Sequence, residues 1–229
     1  MKLTVIGKYG PYARSGNHAA SCYLVSEGDT NLVMDMGPGA FSRLTDIIDP
    51  RDITAIFISH LHYDHTSDLL AMRYRLEELN TKVRIYSLRE DTPWFSLLFD
   101  HPLIEHIPVG AGQSVKAGSL TLRFYEMKHT VPCLAVRVEG EKTLVYTGDT
   151  LYNENIYEAI RGADLLLSDT SKPLGFDGPH MNVGYAKEFN ERTGIRILST
   201  HLNPDYDPAP EFENYPDIEV AQEGKTYEI

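Results

Sequence analysis

The sequence predicts a mixed α/β chain, closer to α+β than to a regular alternation of strand and helix, and three observations carry that reading. Short runs rich in β-branched and aromatic residues recur along its 229 residues and outnumber segments with apolar residues at helical spacing. No linker rich in Pro, Gly or Ser divides them, so residues 1–229 are expected to form a single domain. Finally, the polar hexamer His60-Leu61-His62-Tyr63-Asp64-His65 follows directly on the apolar run from Thr54 to Ser59 and precedes a helical pattern, which places it at a strand-to-helix turn.

Strands are predicted over 3–7, 22–26, 31–36 and 54–59, with Glu27-Gly28-Asp29 as a hairpin turn. The spacing predicts one helix over 41–48, ending before Pro50, and a longer one over 68–79 with Leu69, Met72, Leu76 and Leu79 on one side. The same grammar continues without sequence repetition: strands near 83–87, 120–127, 134–138, 143–147, 164–168 and 195–200, helices near 153–160 and 183–192. Residues 203–229 begin acidic and Pro-rich, then alternate Ile218, Val220 and Tyr227, Ile229 about Glu223-Gly224, the pattern of a closing hairpin. Trp94, Phe95, Leu97, Leu98 and Phe99 form an apolar cluster suited to a helix packed on the sheet or to a homodimer partner. His101 and His106 lie in a loop-to-strand stretch with Pro102 and Pro108 and read as surface residues.

Charge restricts the partners. With 33 acidic residues against 21 Lys and Arg the formal charge is −12, and no basic run or basic-aromatic track supplies the phosphate contacts that extended nucleic acid requires. No apolar run approaches about 20 residues, the length of a membrane-spanning helix. Residues 1–7 read as a first strand and lack the length of a signal core, so a cytoplasmic location is the default expectation. Cys22 and Cys133 sit in apolar surroundings typical of reduced core thiols, with a single disulfide as the alternative.

The hexamer points to metal chemistry. His60 and His62 are two apart, so a persisting strand rhythm turns both imidazoles to one face, while Asp64 and His65 lie on the following turn. Imidazole and carboxylate without thiolate suit zinc, manganese or iron, and such sites are more often catalytic than structural. Three further candidates each cap an apolar strand: His129 after residues 120–127, Asp149 after 144–148, and His201 after 195–200. Rigid strands ending together at one sheet edge would present these donors from a fixed scaffold.

In these segments the chain resembles the metallo-β-lactamase superfamily. Val33-Met34-Asp35-Met36-Gly37, the hexamer, Lys128-His129-Thr130-Val131-Pro132, Thr147-Gly148-Asp149-Thr150 and Ser199-Thr200-His201-Leu202 fall in that superfamily's order, nearly the whole chain being covered. The resemblance implies a four-layer αβ/βα sandwich of two mixed sheets with helices outside and two divalent ions at the sheet edge, zinc first among them. It assigns His60, His62 and His129 to one ion, Asp64, His65 and His201 to the other, and Asp149 to both. Asp149 stands where one antibiotic-degrading class carries a thiolate, which argues against a true β-lactamase. Asp35, ending its own strand, is expected to orient the hexamer from behind.

Within the superfamily the chain is most similar to ribonuclease Z-type phosphodiesterases. There an acid at a strand end partners a histidine before the next helix; here Asp169 and His180 take those places, with Asn182 as N-cap and Asp169 standing where Glu is usual. The similarity implies a phosphodiesterase in which a hydroxide shared by the two ions attacks phosphorus, Asp149 positions it, and His180, kept protonated by Asp169, serves the leaving group. Ribonuclease Z proper grips RNA through a Gly- and Pro-bearing arm; no such insertion lies between His129 and Asp149 or between Asp169 and His180. A small, cyclic-nucleotide-like diester is therefore the expected substrate, with Tyr63, Tyr152 and residues 171–181 facing it and His18, in the loop Ser15-Gly16-Asn17-His18, near the same cleft. The alternatives are a ribonuclease Z-like endonuclease, a glyoxalase II-like thioester or lactone hydrolase, and a non-catalytic metal-binding scaffold.

Overall fold

The computed structural model describes residues 1–11 and 18–229, and the statements below concern those residues. The strands are β1 (Lys2–Gly7), β2 (Cys22–Glu27), β3 (Thr30–Met34), β4 (Ala55–Phe57), β5 (Val83–Ser87), β6 (Ile104–Pro108) and β7 (Ser114–Ala117). They continue as β8 (Leu120–Met127), β9 (Cys133–Glu139), β10 (Thr143–Tyr146), β11 (Leu165–Asp169), β12 (Arg196–Thr200), β13 (Ile218–Val220) and β14 (Thr226–Glu228). The α-helices are α1 (Ala40–Thr45), α2 (Tyr63–Thr66), α3 (Asp68–Leu79), α4 (Pro93–Phe99), α5 (Asn155–Ile160) and α6 (Val183–Thr193).

Two seven-stranded sheets result, ordered β14-β1-β2-β3-β4-β5-β6 and β13-β12-β11-β10-β9-β8-β7. Each is antiparallel in one part and parallel in the other: β3 to β6 run parallel in the first, β10 to β13 in the second. Strand alternation divides the side chains. In β4, Ala55 and Phe57 enter the layer between the sheets while Ile56 points outward to the α1, α3 and α4 side. From the opposite sheet Leu120, Leu122 and Phe124 of β8 fill the same inner layer, where Phe124 stacks on Phe57 at 5.6 Å. Ala159, Val183, Ala186 and Phe189 close the other outer face over Val145, Leu166 and Ile197. The product is a helix–sheet–sheet–helix sandwich of mixed sheets, the architecture the resemblance implies.

The terminal segment departs from the expected hairpin. β13 pairs in parallel with β12 in one sheet, whereas β14 pairs antiparallel with β1 in the other, so the Glu223-Gly224 turn carries the chain between sheets. Alternation marks side chains that share a face but is silent on which face is inner and which open strand edge each segment completes: Ile218 and Val220 pack on the outer side with α6, whereas Tyr227 is buried between the sheets. β7 was not foreseen, and β6 only as a loop-to-strand stretch without bounds. His106, expected on the surface, lies in β6 between Phe95 and Phe99, its Nε2 2.9 Å from Ser87 Oγ, and His101 packs beside Glu77 with its side chain 8% exposed. The apolar run 94–99 forms α4, whose Phe95, Leu98 and Phe99 pack on the first sheet. Cys22 and Cys133 are free buried thiols on the outer faces of different sheets, which excludes the disulfide. No helix among the described residues is long and apolar enough to cross a membrane.

Candidate metal centre

The parallel strands of both sheets, together with β8, end on one edge, and the polar residues that follow their last apolar positions meet there. Asp35 follows β3, the hexamer follows β4, and His129, Asp149 and His201 follow β8, β10 and β12. The backbone bends sharply at these exits: Asp35 and His201 adopt φ of 58° and 59°, a region that non-glycine residues occupy only when surrounding structure over-determines it. Gly148 has φ 59°, and a Cβ there would lie 2.8 Å from Ser59 Cβ, so glycine is needed both for conformation and for space.

Two donor sets face each other across Asp149. In the first, His60 Nε2 and His129 Nε2 lie 3.0 and 3.2 Å from His62 Nδ1, and 3.7 and 3.8 Å from Asp149 Oδ2. In the second, His65 Nε2 is 3.5 Å from Asp64 Oδ2 and 3.3 Å from Asp149 Oδ1, while His201 Nδ1 lies 3.2 Å from that same oxygen. Each Asp149 oxygen thus addresses a separate set, the placement of a bridging carboxylate. Within each set the donor atoms lie within 4.8 Å of one another.

The outward ring atoms are held by the protein. Asp35 Oδ2 accepts from His65 Nδ1 at 2.7 Å, Ser59 Oγ lies 3.0 Å from His60 Nδ1, and Pro179 O is 3.1 Å from His129 Nδ1. Outer partners of this kind fix ring orientation and leave the inner nitrogen free for a cation. His65 Nε2, His201 Nε2 and Asp149 Oδ1 are buried without a hydrogen-bond partner. Unpaired buried polar atoms are costly, so inward donors converging in two groups fit two cations better than they fit an empty polar cavity. With imidazole and carboxylate donors the set suits zinc, manganese or iron.

Charge points the same way. Burial pushes His60 well below the ordinary imidazole range, with the neighbouring His65 charge adding to it. Burial also lowers His129 and His201, although Asp149 opposes it. His65 moves in the opposite direction: burial alone would lower it, but Asp149, Asp64 and Asp35 raise it well above 6.5. The field that draws a proton there is the field a metal cation would satisfy. Asp64, despite burial, is brought to about 2 by His65.

Beside Asp149 stands a third arrangement. His180 Nδ1 is 2.7 Å from Asp169 Oδ2 and 3.9 Å from Asp149 Oδ2. Burial opposes protonation of His180, yet Asp169 outweighs it through charge and hydrogen bond and raises its pKa. Asn182, as expected, caps α6, its side chain accepting from Gly184 N at 2.9 Å.

The family described as Beta-lactamase superfamily domain matches residues 30–201, a span from β3 through the last donor. The chain belongs to that superfamily. It is 32% identical over 213 residues to the protein named Probable metallo-hydrolase YhfI of Bacillus subtilis, covering 88% of this chain and 87% of that one. The crystal structure of YhfI, a metallo-beta-lactamase fold protein, superimposes with a TM-score of 0.90 over 99% of this chain and 98% of that one, at 27% identity in the structural alignment. The short form of human tRNase Z superimposes with a TM-score of 0.79 at 18% identity, over 100% and 99% of the two chains. A diphosphatase from the PhnP family gives 0.78 at 18%, over 100% and 97%. At that identity the last two show the superfamily fold alone, the αβ/βα sandwich read from the sequence.

All seven metal-ligand candidates, His60, His62, Asp64, His65, His129, Asp149 and His201, come together, as do Asp169 and His180. Tyr63 stands 54% exposed beside the centre, but Tyr152 turns away, stacked on Tyr185 at 5.1 Å with its hydroxyl on Glu154, because α6 offers it an aromatic face. His18 stacks on Tyr9 at 4.1 Å; Ser15, Gly16 and Asn17 lie outside the described residues. Sequence reasoning missed Ser59 and Tyr146, which tie to Asp35 behind the ligands. Ser59 directly precedes the hexamer, a signal that was available; Tyr146 occupies an apolar strand position and gave none.

Proposed function

We propose that the chain is a two-metal hydrolase of small phosphodiesters, cyclic-nucleotide-like in size, with zinc as the first candidate metal. The observation that carries this reading is the hydrogen-bonded Asp169–His180 pair set 3.9 Å from the carboxylate that faces both donor sets. His60, His62 and His129 would hold one ion, Asp64, His65 and His201 the other, with Asp149 between them. Bound there, divalent ions would supply an acidified water and Lewis-acid stabilisation of charge on the reacting oxygens.

The remaining tasks fall to this chain's own side chains. Asp149 orients the site by facing both halves. Asp169 accepts from His180 Nδ1, fixing the ring so that Nε2 carries the proton outward, and its charge keeps that proton in place at higher pH than in a free imidazole. An alkoxide leaving a phosphodiester needs a proton, and His180 is positioned to supply it from Nε2. The relative in Bacillus subtilis, a probable metallo-hydrolase, supports hydrolysis, and the choice of phosphorus over an acyl carbon rests on the Asp169–His180 pair. A formal charge of −12 favours a small substrate over folded RNA.

The test is a parallel assay of the metal-loaded protein on bis-p-nitrophenyl phosphate, cyclic AMP and S-lactoylglutathione, with His180→Ala beside the parent. Turnover of the two diesters is expected. The variant should lose about 10²–10⁴-fold on cyclic AMP, whose alkoxide needs a proton, and far less on the nitrophenyl ester. Thioester turnover alone would overturn the substrate class; equal losses on both diesters would remove His180 as the acid.

A further inference from the structure

The loop joining β11 to α6 carries a buried lysine, Lys172, beside the candidate centre. Lys172 lies three residues after Asp169, and the preceding Ser171 donates from Oγ to the carbonyl of His201 at 2.7 Å. Its backbone forms a parallel bridge with Asn182, and Val183 N donates to Lys172 O at 2.8 Å. Lys172 and His180 therefore stand together at the neck of the loop, one on each arm. The residue is only 7% exposed, a depth at which lysine is almost always paired.

Lys172 has no such pair. Among the described residues its ammonium forms no ion pair and no hydrogen bond, and its one ring contact is Phe176 at 6.0 Å, the outer limit of a cation–π interaction. The contrast within this acidic chain is sharp: Lys2, Lys142, Lys187 and Lys225 all reach a carboxylate at 2.8–3.2 Å, and all have more exposed side chains. The stem is buried while the ammonium has no counter-charge within reach, so an anion arriving there would gain an ion pair without displacing a carboxylate. The positive charge of Lys172 acts on the His180 imidazole and opposes its protonation, so the two groups share one field.

We infer that Lys172 anchors the substrate, its ammonium holding an anionic phosphoryl oxygen on the leaving-group side of the centre, beside His180. The substrate class rests on the phosphodiesterase reading above; the anion contact does not. A compact ammonium with three rotatable donors suits a phosphoryl oxygen, and an anion seated there would screen Lys172 from His180 and favour the proton the imidazole must carry.

The test uses the metal-loaded protein, with Lys172→Met, Lys172→Arg and, as a surface control, Lys142→Met. Binding of inorganic phosphate is followed by calorimetry, and kcat and KM are measured on bis-p-nitrophenyl phosphate. Losing one charge-assisted contact should weaken phosphate binding and raise KM about tenfold in Lys172→Met, while kcat changes little and metal content is kept. Lys172→Arg should recover most of the loss, and Lys142→Met should match the parent. Parental phosphate affinity in Lys172→Met, no phosphate binding by the parent, or a fall in kcat at constant KM overturns the inference. If the parent binds phosphate but hydrolyses no diester, the functional reading fails while the calorimetric comparison still decides the role of Lys172.

Discussion

Replacing Asp35 with Asn tests whether the centre is built from behind. Asp35 is fully buried and accepts four hydrogen bonds at 2.7 Å: Ser59 N on Oδ1, and Ser59 Oγ, His65 Nδ1 and Tyr146 OH on Oδ2. An amide has one accepting oxygen. Set toward the three donors, its NH2 meets the Ser59 N–H; set toward Ser59 N, it meets Ser59 Oγ, Tyr146 OH and His65 Nδ1. The hydroxyls can rotate to accept, but His65 can accept only by moving its proton to Nε2, the atom 3.3 Å from Asp149 Oδ1 that a metal requires. Breaking a buried charged network costs about 3–5 kcal/mol, a large share of the roughly 5–15 kcal/mol that holds a domain folded. Loss of an outer partner typically weakens metal affinity about 10–100-fold. Urea unfolding of the metal-free protein reads the first effect, and competition with a chromophoric chelator reads the second. Stability within about 0.5 kcal/mol of the parent, together with unchanged affinity, would refute the account of Asp35.

Other consequences follow from the same geometry. Gly148→Ala places a Cβ 2.8 Å from Ser59 Cβ and 3.1 Å from Cys133 Sγ at φ 59°, so left-handed strain of about 1–2 kcal/mol adds to overpacking of about 1–3 kcal/mol; a thermal melt matching the parent would show that the turn relaxes freely. Because Asp149, Asp64 and Asp35 outweigh burial and raise His65 well above 6.5, its charged form stabilises the metal-free fold below about pH 6.5, and that contribution is lost as pH rises through the raised value. Metal loading at neutral pH should consequently release a proton and tighten with pH; calorimetry in two buffers of different ionisation enthalpy checks this, and identical apparent enthalpies would contradict it.

How much of this was legible in the sequence depended on whether the signal was local. The hexamer spoke for itself because histidine spacing is read along the chain, and His129, Asp149 and His201 were found because each interrupts an apolar run at the point where a strand must end. Long-range pairing left no such mark. Ile218, Val220 and Tyr227 alternate as a hairpin would, yet β13 and β14 complete different sheets, since alternation encodes a shared face and not the neighbour. The bounds of β6 were hidden by Pro102 and Pro108, which an edge strand tolerates, and His106 looked like a surface residue because nothing in sequence announces that Phe95 and Phe99 enclose it.

The same division runs through the centre itself. Residues that offer donors to a cation are chemically conspicuous, whereas residues that aim those donors are recognisable only by contact. Tyr146 shows the difference. Its ring belongs to the layer between the sheets, where it meets Tyr23 at 5.0 Å, and its place in an apolar strand is fully explained by packing. Only the hydroxyl, 2.7 Å from Asp35 Oδ2, connects that core to His65 and through it to the metal-facing edge. The phenol is thus a structural residue and a positioning residue at once, because burial in this layer requires a hydrogen-bond partner and Asp35 is the acceptor within reach. The inner core and the candidate centre are coupled through one carboxylate, so a core substitution such as Tyr146→Phe should alter how the second donor set binds metal without touching any of its ligands.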